Sequence, residues 1–382
     1  MTELADRHSS AEDPSRYERV QDLLRRSADP DGFVPFDRFM EIALYGEGVG
    51  FYSRADSPFG PDGDYYTAAH ASPLFGRAIA QRVRSVVSAT PPGVPFRVLE
   101  VGPGDGALGE SVLRGLAEDP AVRGRVEYVL VDRSPSLSVR AYERVSAVGQ
   151  SVGVPVRAAG SVGAEGPFTG MVLANEVLDA QPARRLLWDG ELWQDVGVRL
   201  TRDGFVPATA PRDRPVPAPE LPPAPAFGTI VEVCPMAEAL LREVADHLVS
   251  GVFLVLDYGM EESELVVAHP SGTLAAVRRH RFVDDPFEEP GTCDLSVFVN
   301  FTRIRAAGAS AGLRELSFRR QAEALGDWGF PRLLEEAIRS APSTEAEVRI
   351  RLAAKNLLFG FERFHALELA PPERRGSFPT VT

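Results

Sequence analysis

The segment Phe96-Arg-Val-Leu-Glu-Val-Gly-Pro-Gly-Asp-Gly-Ala107 decides the fold. Its first half, Arg97 to Val101, is a short apolar run, the pattern of a buried strand. Gly102, Gly104 and Gly106 then let the backbone turn tightly and approach a flat, polar ligand that any β-carbon would obstruct. Ala107 to Leu116 continues as a helix. Strand, glycine turn and helix in that order open an α/β architecture with a parallel sheet.

Three further apolar runs follow, at Val126–Val131, Gly170–Ala174 and Val252–Leu256. Each runs at once into polar residues: Asp132, Asn175-Glu176 and Asp257-Tyr258. Together with Glu100 these clusters fall at one edge of the sheet, the carboxyl edge where open parallel sheets bind ligands. Upstream, Pro14 to about Ser27 and Val34 to Leu44 carry helical spacing, and Gly46 to Gly63 reads as an ordered loop. Eight prolines between Phe205 and Phe227 exclude a central strand or helix and mark a surface excursion. The expected organisation is an N-terminal helical and glycine-rich region (1–90) and a Rossmann-like core (91–260) carrying the excursion 205–227. An inserted lid or substrate region (261–320) and a C-terminal completion of the core (321–382) follow.

The 382 residues hold 41 basic against 54 acidic side chains, a net charge of −13 that disfavours phosphate backbones and anionic membranes. Lys355 is the single lysine, a bias that hints at a GC-rich bacterial source. Cys234 and Cys293 lack metal or disulfide spacing, and the N-terminus lacks the apolar core of a signal peptide, so a cytoplasmic setting is expected. No apolar stretch is long enough to span a bilayer, and the six histidines show no ligand spacing, so neither membrane insertion nor a metal site is expected.

Glycine spacing alone also allows a dinucleotide, because Ala107 satisfies the last place of that fingerprint and a dehydrogenase stays open. Two details point instead to S-adenosyl-L-methionine. Glu100, two residues before the first glycine, can face the cationic methionine moiety but would repel a pyrophosphate. Asp132 ends the next strand, where an acceptor for ribose hydroxyls belongs. Duller readings accompany each: Asp132 as a helix N-cap before Ser134, and Asn175-Glu176 as the start of a helix with Glu176 on its dipole. Gly308-Ala-Ser-Ala-Gly312 imitates a nucleophile elbow, but the residues before it read as helix, so Ser310 is structural.

The chain is similar to the MidA-like methyltransferases in an ordered series of motifs between about residues 34 and 330. They include Phe36-Asp-Arg-Phe-Met-Glu-Ile-Ala-Leu-Tyr45, Gly50-Phe-Tyr52, Gly63-Asp-Tyr-Tyr-Thr67 and Ser72-Pro-Leu-Phe-Gly76. The glycine loop, Asn175-Glu-Val-Leu-Asp179 with Pro182, Asp257-Tyr-Gly259, Gly272-Thr-Leu274, His280-Arg281, and Pro290-Gly291 with Asp294-Leu295 complete the series. Mitochondrial members of that family are arginine methyltransferases that assist assembly of respiratory complex I. The resemblance therefore implies a class I methyltransferase sheet, S-adenosyl-L-methionine as cofactor and a protein arginine acceptor. It places Gly63, Asp64 and Thr67 near the cofactor, beside Glu100, Gly102, Gly104, Gly106, Asp132 and Asn175.

An arginine acceptor stays charged and needs carboxylates in fork geometry to hold it and take its proton. Glu176 and Asp179 are the candidates, with Tyr258 and His280 completing the catalytic set. The family's usual residues are replaced at Tyr65, Ala68-Ala69, Gln181 and Ser296, which keeps open a small-molecule acceptor in a more closed, apolar pocket. A third reading is a non-catalytic assembly protein that keeps the loop as a relic. The expected partner is a protein or small-molecule methyl acceptor, and the assemblies allowed include a homodimer.

Overall fold

The computed structural model describes residues 14–53, 67–202, 204–214, 216 and 225–372. The chain enters through α1 (Pro14–Ser27), β1 (Phe33–Pro35) and α2 (Phe36–Tyr45). The helical spacing of this segment puts Phe36, Phe39, Met40, Ala43 and Leu44 on one face of α2, and all five are inaccessible. Of the glycine-rich stretch after it, residues 46–53 are described and end in a short 3-10 turn, Phe51–Ser53; the remainder, with Gly63 and Asp64, lies outside the described residues. Next come α3 (Ala68–Ala71) and α4 (Pro73–Ala89), whose start is set by Pro73 in the first turn and by Ser72, which accepts the Leu74 amide.

The core then alternates as β2 (Phe96–Val101), α5 (Ala107–Leu116), α6 (Pro120–Arg123), β3 (Val126–Val131), α7 (Pro135–Val152), β4 (Val156–Ala159) and β5 (Phe168–Asn175). Four strands follow that the sequence reading did not separate from the core: β6 (Arg184–Trp188), β7 (Trp193–Thr201), β8 (Gly204–Thr209) and β9 (Ile230–Val233). They pair antiparallel with one another and with β1 in the order β1-β7-β6-β9, with β8 on β7. These strands mix charged and apolar residues because one face is wet, which hides them from a search for continuous apolar runs. The proline-rich excursion leaves this second sheet by way of β8.

The chain returns through α8 (Pro235–His247) to β10 (Leu248–Met260). Residues 262–300 hold α9 (Glu262–Ala268), β11 (Ala275–Arg278), β12 (Arg281–Phe282), β13 (Asp294–Ser296) and β14 (Val299–Asn300). Of these, β12, β11 and β13 form a small third sheet, while β14 pairs with β10. Then come α10 (Phe301–Ser310), β15 (Arg314–Arg320), α11 (Gln321–Asp327), α12 (Phe330–Arg339), α13 (Thr344–Lys355) and β16 (Phe364–Ala370). Ser310 closes a helix, as its sequence context indicates. One correction concerns β15: it falls in the stretch expected to be a lid, yet it is an edge strand of the central sheet. Its Arg-Glu-Leu-Ser-Phe-Arg-Arg sequence carries the charges that edges tolerate.

The central sheet runs β15-β16-β10-β5-β2-β3-β4. From β10 to β4 all pairs are parallel, and β16 runs antiparallel between β10 and β15. The strand order therefore reverses at β2, a topological switch point whose carboxyl edge forms a crevice. Both faces are covered. On β10, Val252, Leu254 and Leu256 pack on the side of α4 and α5, while Phe253 and Val255 pack on the side of α8 and α10. Each such fully buried side chain contributes about 1.5–3 kcal/mol of transfer free energy.

Candidate active site

The β2–α5 turn is made by glycines in left-handed conformations, with φ of +62°, +58° and +83° at Gly102, Gly104 and Gly106. A β-carbon on Gly102 would sit 2.9 Å from Val177 Cγ2, so the turn can pass beneath the β5 loop only as glycine. Above it opens a cleft of about 300 Å³, lined by residues that follow β2, β3, β4 and β5, by Thr67 and His70, and by Tyr45 and Tyr52. Its floor holds Glu100, 2% exposed, whose Oε2 accepts the Tyr128 hydroxyl at 2.8 Å. Burial pushes the Glu100 carboxyl up to about 8. Asp132 stands on the next wall, pushed up to about 6 by burial, and its Oδ1 accepts the Ser134 amide at 2.7 Å. Ser134 itself caps α7, so Asp132 supports the helix start without being its cap.

Glu176 closes the opposite wall in a left-handed conformation, φ 53°, that costs a non-glycine residue about 1–3 kcal/mol. The surrounding backbone imposes it. Leu256 lies opposite Asn175 in the β5–β10 ladder, and the Glu176 amide donates to the Leu256 carbonyl at 2.8 Å. The next three amides, of Val177, Leu178 and Asp179, converge on Oδ2 of the buried Asp257 at 3.1, 2.9 and 3.4 Å. Reversing direction there turns the Glu176 side chain into the cleft, where Oε1 accepts the Ala68 amide at 3.1 Å and the Asn175 amide group at 3.3 Å. Burial, reinforced by the nearby Asp179, raises the Glu176 carboxyl to about 8. No helix begins here, so the reading of Glu176 as a helix-dipole partner is overturned.

This geometry fits a ligand that is flat at one end and charged at the other. The glycine turn lets backbone come close, the carboxylates are buried, and Asn175 Oδ1 is buried with no hydrogen-bond partner. Residues 74–319 match a family described as S-adenosyl-L-methionine-dependent methyltransferases. The chain belongs to that family. It is 30% identical to a Burkholderia thailandensis protein crystallised with S-adenosyl-homocysteine, covering 93% of this chain and 92% of that one with a TM-score of 0.83. The mitochondrial protein arginine methyltransferase NDUFAF7 of Mus musculus is 26% identical over 96% of this chain and 88% of its own length. The human form is 27% identical over 74% and 67%. The resemblance to MidA-like methyltransferases is borne out, and S-adenosyl-L-methionine is the cofactor of this α/β methyltransferase.

Of the candidate residues, Thr67, Glu100, Gly102, Gly104, Asp132, Asn175 and Glu176 line the cleft of the methyltransferase. Gly106 shapes the turn from behind, its α-carbon packed towards Val145. Asp179 and Tyr258 do not reach the cleft. They lie one layer below, where burial together with the neighbouring Asp257 holds the Asp179 carboxyl well above its usual range. His280 is a plain correction: it is exposed on the turn joining β11 and β12, with φ 62°, and borders no part of the cleft. A two-residue hairpin favours such polar residues for conformational reasons, which its motif position did not distinguish from chemistry.

His70, Arg133 and Arg144 were not singled out from the sequence. Thr67 Oγ1 lies 2.8 Å from His70 Nδ1, and His70 Nε2 lies 3.2 Å from Asp105 Oδ2, which Arg144 holds at 2.7 Å. Burial opposes the ionisation of Asp105, yet the His70 hydrogen bond and Arg144 outweigh it and hold the carboxyl below its ordinary value. At the far end Arg133 stacks 4.2 Å above the Tyr45 ring, and Tyr45 stacks on Tyr52. Tyr45 and Tyr52 stood inside quoted motifs, but nothing local showed that they meet Arg133. Among the described residues no cluster of three or more metal-ligating side chains occurs, and no helix is long and apolar enough to cross a membrane.

Proposed function

We propose that the protein methylates a guanidinium nitrogen of arginine in a protein substrate, with Glu176 as the group that orients the acceptor and takes its proton. When bound, S-adenosyl-L-methionine supplies a methyl group on a sulfonium centre whose sulfur leaves without acid assistance. The Gly102–Gly106 turn and Glu100 would hold its amino-acid end, and Asp132 its ribose hydroxyls. The Glu176 carboxylate would hold the acceptor nitrogen towards the methyl donor and take the one N–H proton that this nitrogen gives up. Positioning provides most of the acceleration in such a displacement.

The observation that carries the arginine reading is the buried Glu176 in this cleft, anchored by the Ala68 amide and backed by Asp179 and Asp257. A lone buried carboxylate resists ionisation, but a guanidinium beside it favours the charged form, so acceptor binding and proton release are coupled. The hydrogen-bonded Thr67, His70 and Asp105 line the same cleft. The NDUFAF7 relatives, named protein arginine methyltransferases, support the same acceptor.

The test is incubation with methyl-labelled S-adenosyl-L-methionine and peptide libraries containing arginine or lysine, followed by mass spectrometry, with Glu176→Gln as control. Label on arginine that the variant loses supports the reading. Label that appears only in the small-molecule fraction of a cell extract overturns the acceptor class.

A further inference from the structure

Remote from the cleft, and sharing no residue with it, a groove of about 640 Å³ lies between α4, the β15–β16 edge and the α11–α12 junction. Its walls present Arg82, Arg314, Arg319 and Arg332 against two carboxylates, Asp327 and Glu368. Both carboxylates are engaged: the buried Glu368 takes Arg82 in a two-pronged pair at 2.7 and 2.9 Å, and Asp327 pairs with Arg319 Nη1. In a chain of net charge −13 this basic excess is local and opposes the overall field.

Three polar atoms of the groove's lining residues are buried without any hydrogen-bond partner: Ser317 Oγ, Arg319 Nε and Trp328 Nε1. Arg319 Nε and the indole, in a residue only 6% exposed, can only donate, and the Ser317 hydroxyl can donate as well as accept. Folded proteins satisfy nearly all buried polar groups, so these unmatched groups around one groove, two of them donors only, mark the place of an acceptor. Gly329, in a left-handed conformation, starts the ten-residue helix α12 without any side-chain cap, so the positive end of the helix dipole lies beside Arg332, although Pro331 in the first turn has no N–H to offer.

We propose that this groove binds a phosphoryl-bearing ligand, with the phosphoryl group seated on Trp328, Ser317, Arg319 and Arg332 at the start of α12. A water molecule is uncharged and accepts too few hydrogen bonds for this donor set. A carboxylate offers two coplanar oxygens, whereas the donors come from a strand, an indole and a helix end. A phosphoryl group presents three strong acceptor oxygens and about two charges. The groove exceeds a single phosphate in size, leaving room for an attached organic group.

The protein has three tryptophans, and Trp188 and Trp193 lie together on the β6–β7 hairpin, so replacing both by Phe leaves Trp328 as the reporter. The full chain so modified is titrated at constant ionic strength with inorganic phosphate, phenyl phosphate and acetate, read by indole emission and by calorimetry. Saturable binding of a phosphate probe but not of acetate is expected, weakened about tenfold by Arg332→Gln while S-adenosyl-homocysteine affinity is unchanged. Tighter binding of the ester identifies a phosphomonoester source, and equal or tighter binding of inorganic phosphate identifies the free ion. No heat and no emission change with either phosphate, an equal response to acetate, or indifference to Arg332→Gln overturns the proposal.

Discussion

The Glu176 carboxylate accepts the amide N–H of Ala68 at 3.1 Å, joining residues 108 positions apart in the chain. Ala68 is the first residue of α3, so this bond fastens the segment that carries Thr67 and His70 against the strand end that carries Asn175. The cofactor cleft and the proposed acceptor base are thereby built from one contact.

Replacing Glu176 by Gln keeps a hydrogen-bond acceptor for Ala68 but removes the base. S-adenosyl-homocysteine affinity is expected to stay within about twofold of wild type, while turnover falls roughly 100-fold or more. The free Glu176 carboxyl titrates near 8, so the wild-type kcat/KM rises with pH up to about 8, and that limb disappears in the variant. A limb that survives in Glu176→Gln would assign the base elsewhere.

Asp257 acts through the backbone. Asp257→Ala leaves the Val177, Leu178 and Asp179 amides without their acceptor and releases the left-handed turn at Glu176. Thermal and denaturant unfolding should show a loss of about 1–3 kcal/mol. Turnover should drop at least about tenfold at saturating cofactor, because the acceptor carboxylate is no longer held in place. Unchanged turnover in a folded variant contradicts this positioning role.

Asp132→Ala removes the carboxylate proposed for the ribose hydroxyls. Calorimetry is expected to show S-adenosyl-L-methionine binding weakened by about tenfold or more, and no saturable heat from NAD with either protein. Full affinity in the variant would move the ribose contact to another residue.

Glu100 makes stability depend on pH. Its folded value, about 8, lies above the unfolded carboxyl value near 4.5, so the native protein binds the extra proton between those limits. Stability from this group is therefore complete below about 4.5 and declines as pH rises towards 8. Glu100→Gln should flatten part of the fall in melting temperature over that window, the remainder being shared among the other raised carboxyls, Asp37, Asp132, Glu176, Asp179 and Asp257. An unaltered pH profile would show that Glu100 ionises as readily in the folded state as in the unfolded one.

The parallel core was legible because its signals are local. Runs such as Val126–Val131 are buried on both faces and read as continuous apolar segments, and the glycine turn needs only neighbouring residues to declare itself. The antiparallel strands β6 to β9 and the edge strand β15 carry mixed sequences because each meets water, and the pairings of β7 with β1, β6 with β9 and β15 with β16 join distant parts of the chain.

By itself the sequence determined the strand–glycine–helix turn, the polar residues closing the parallel strands β2, β3, β5 and β10 and therefore the edge at which the cofactor binds, but not the fifth parallel strand, β4. Tertiary structure alone decided which of those residues face the cleft. The β5–β10 register sets Asp257 under the Glu176 turn, leaves Asp179 and Tyr258 one layer below, and long-range packing brings His70 to Asp105 while His280 stays in solvent. Backbone geometry over a few residues is a property of local sterics. Which side chains meet depends on strand order and register, which the whole core must settle at once.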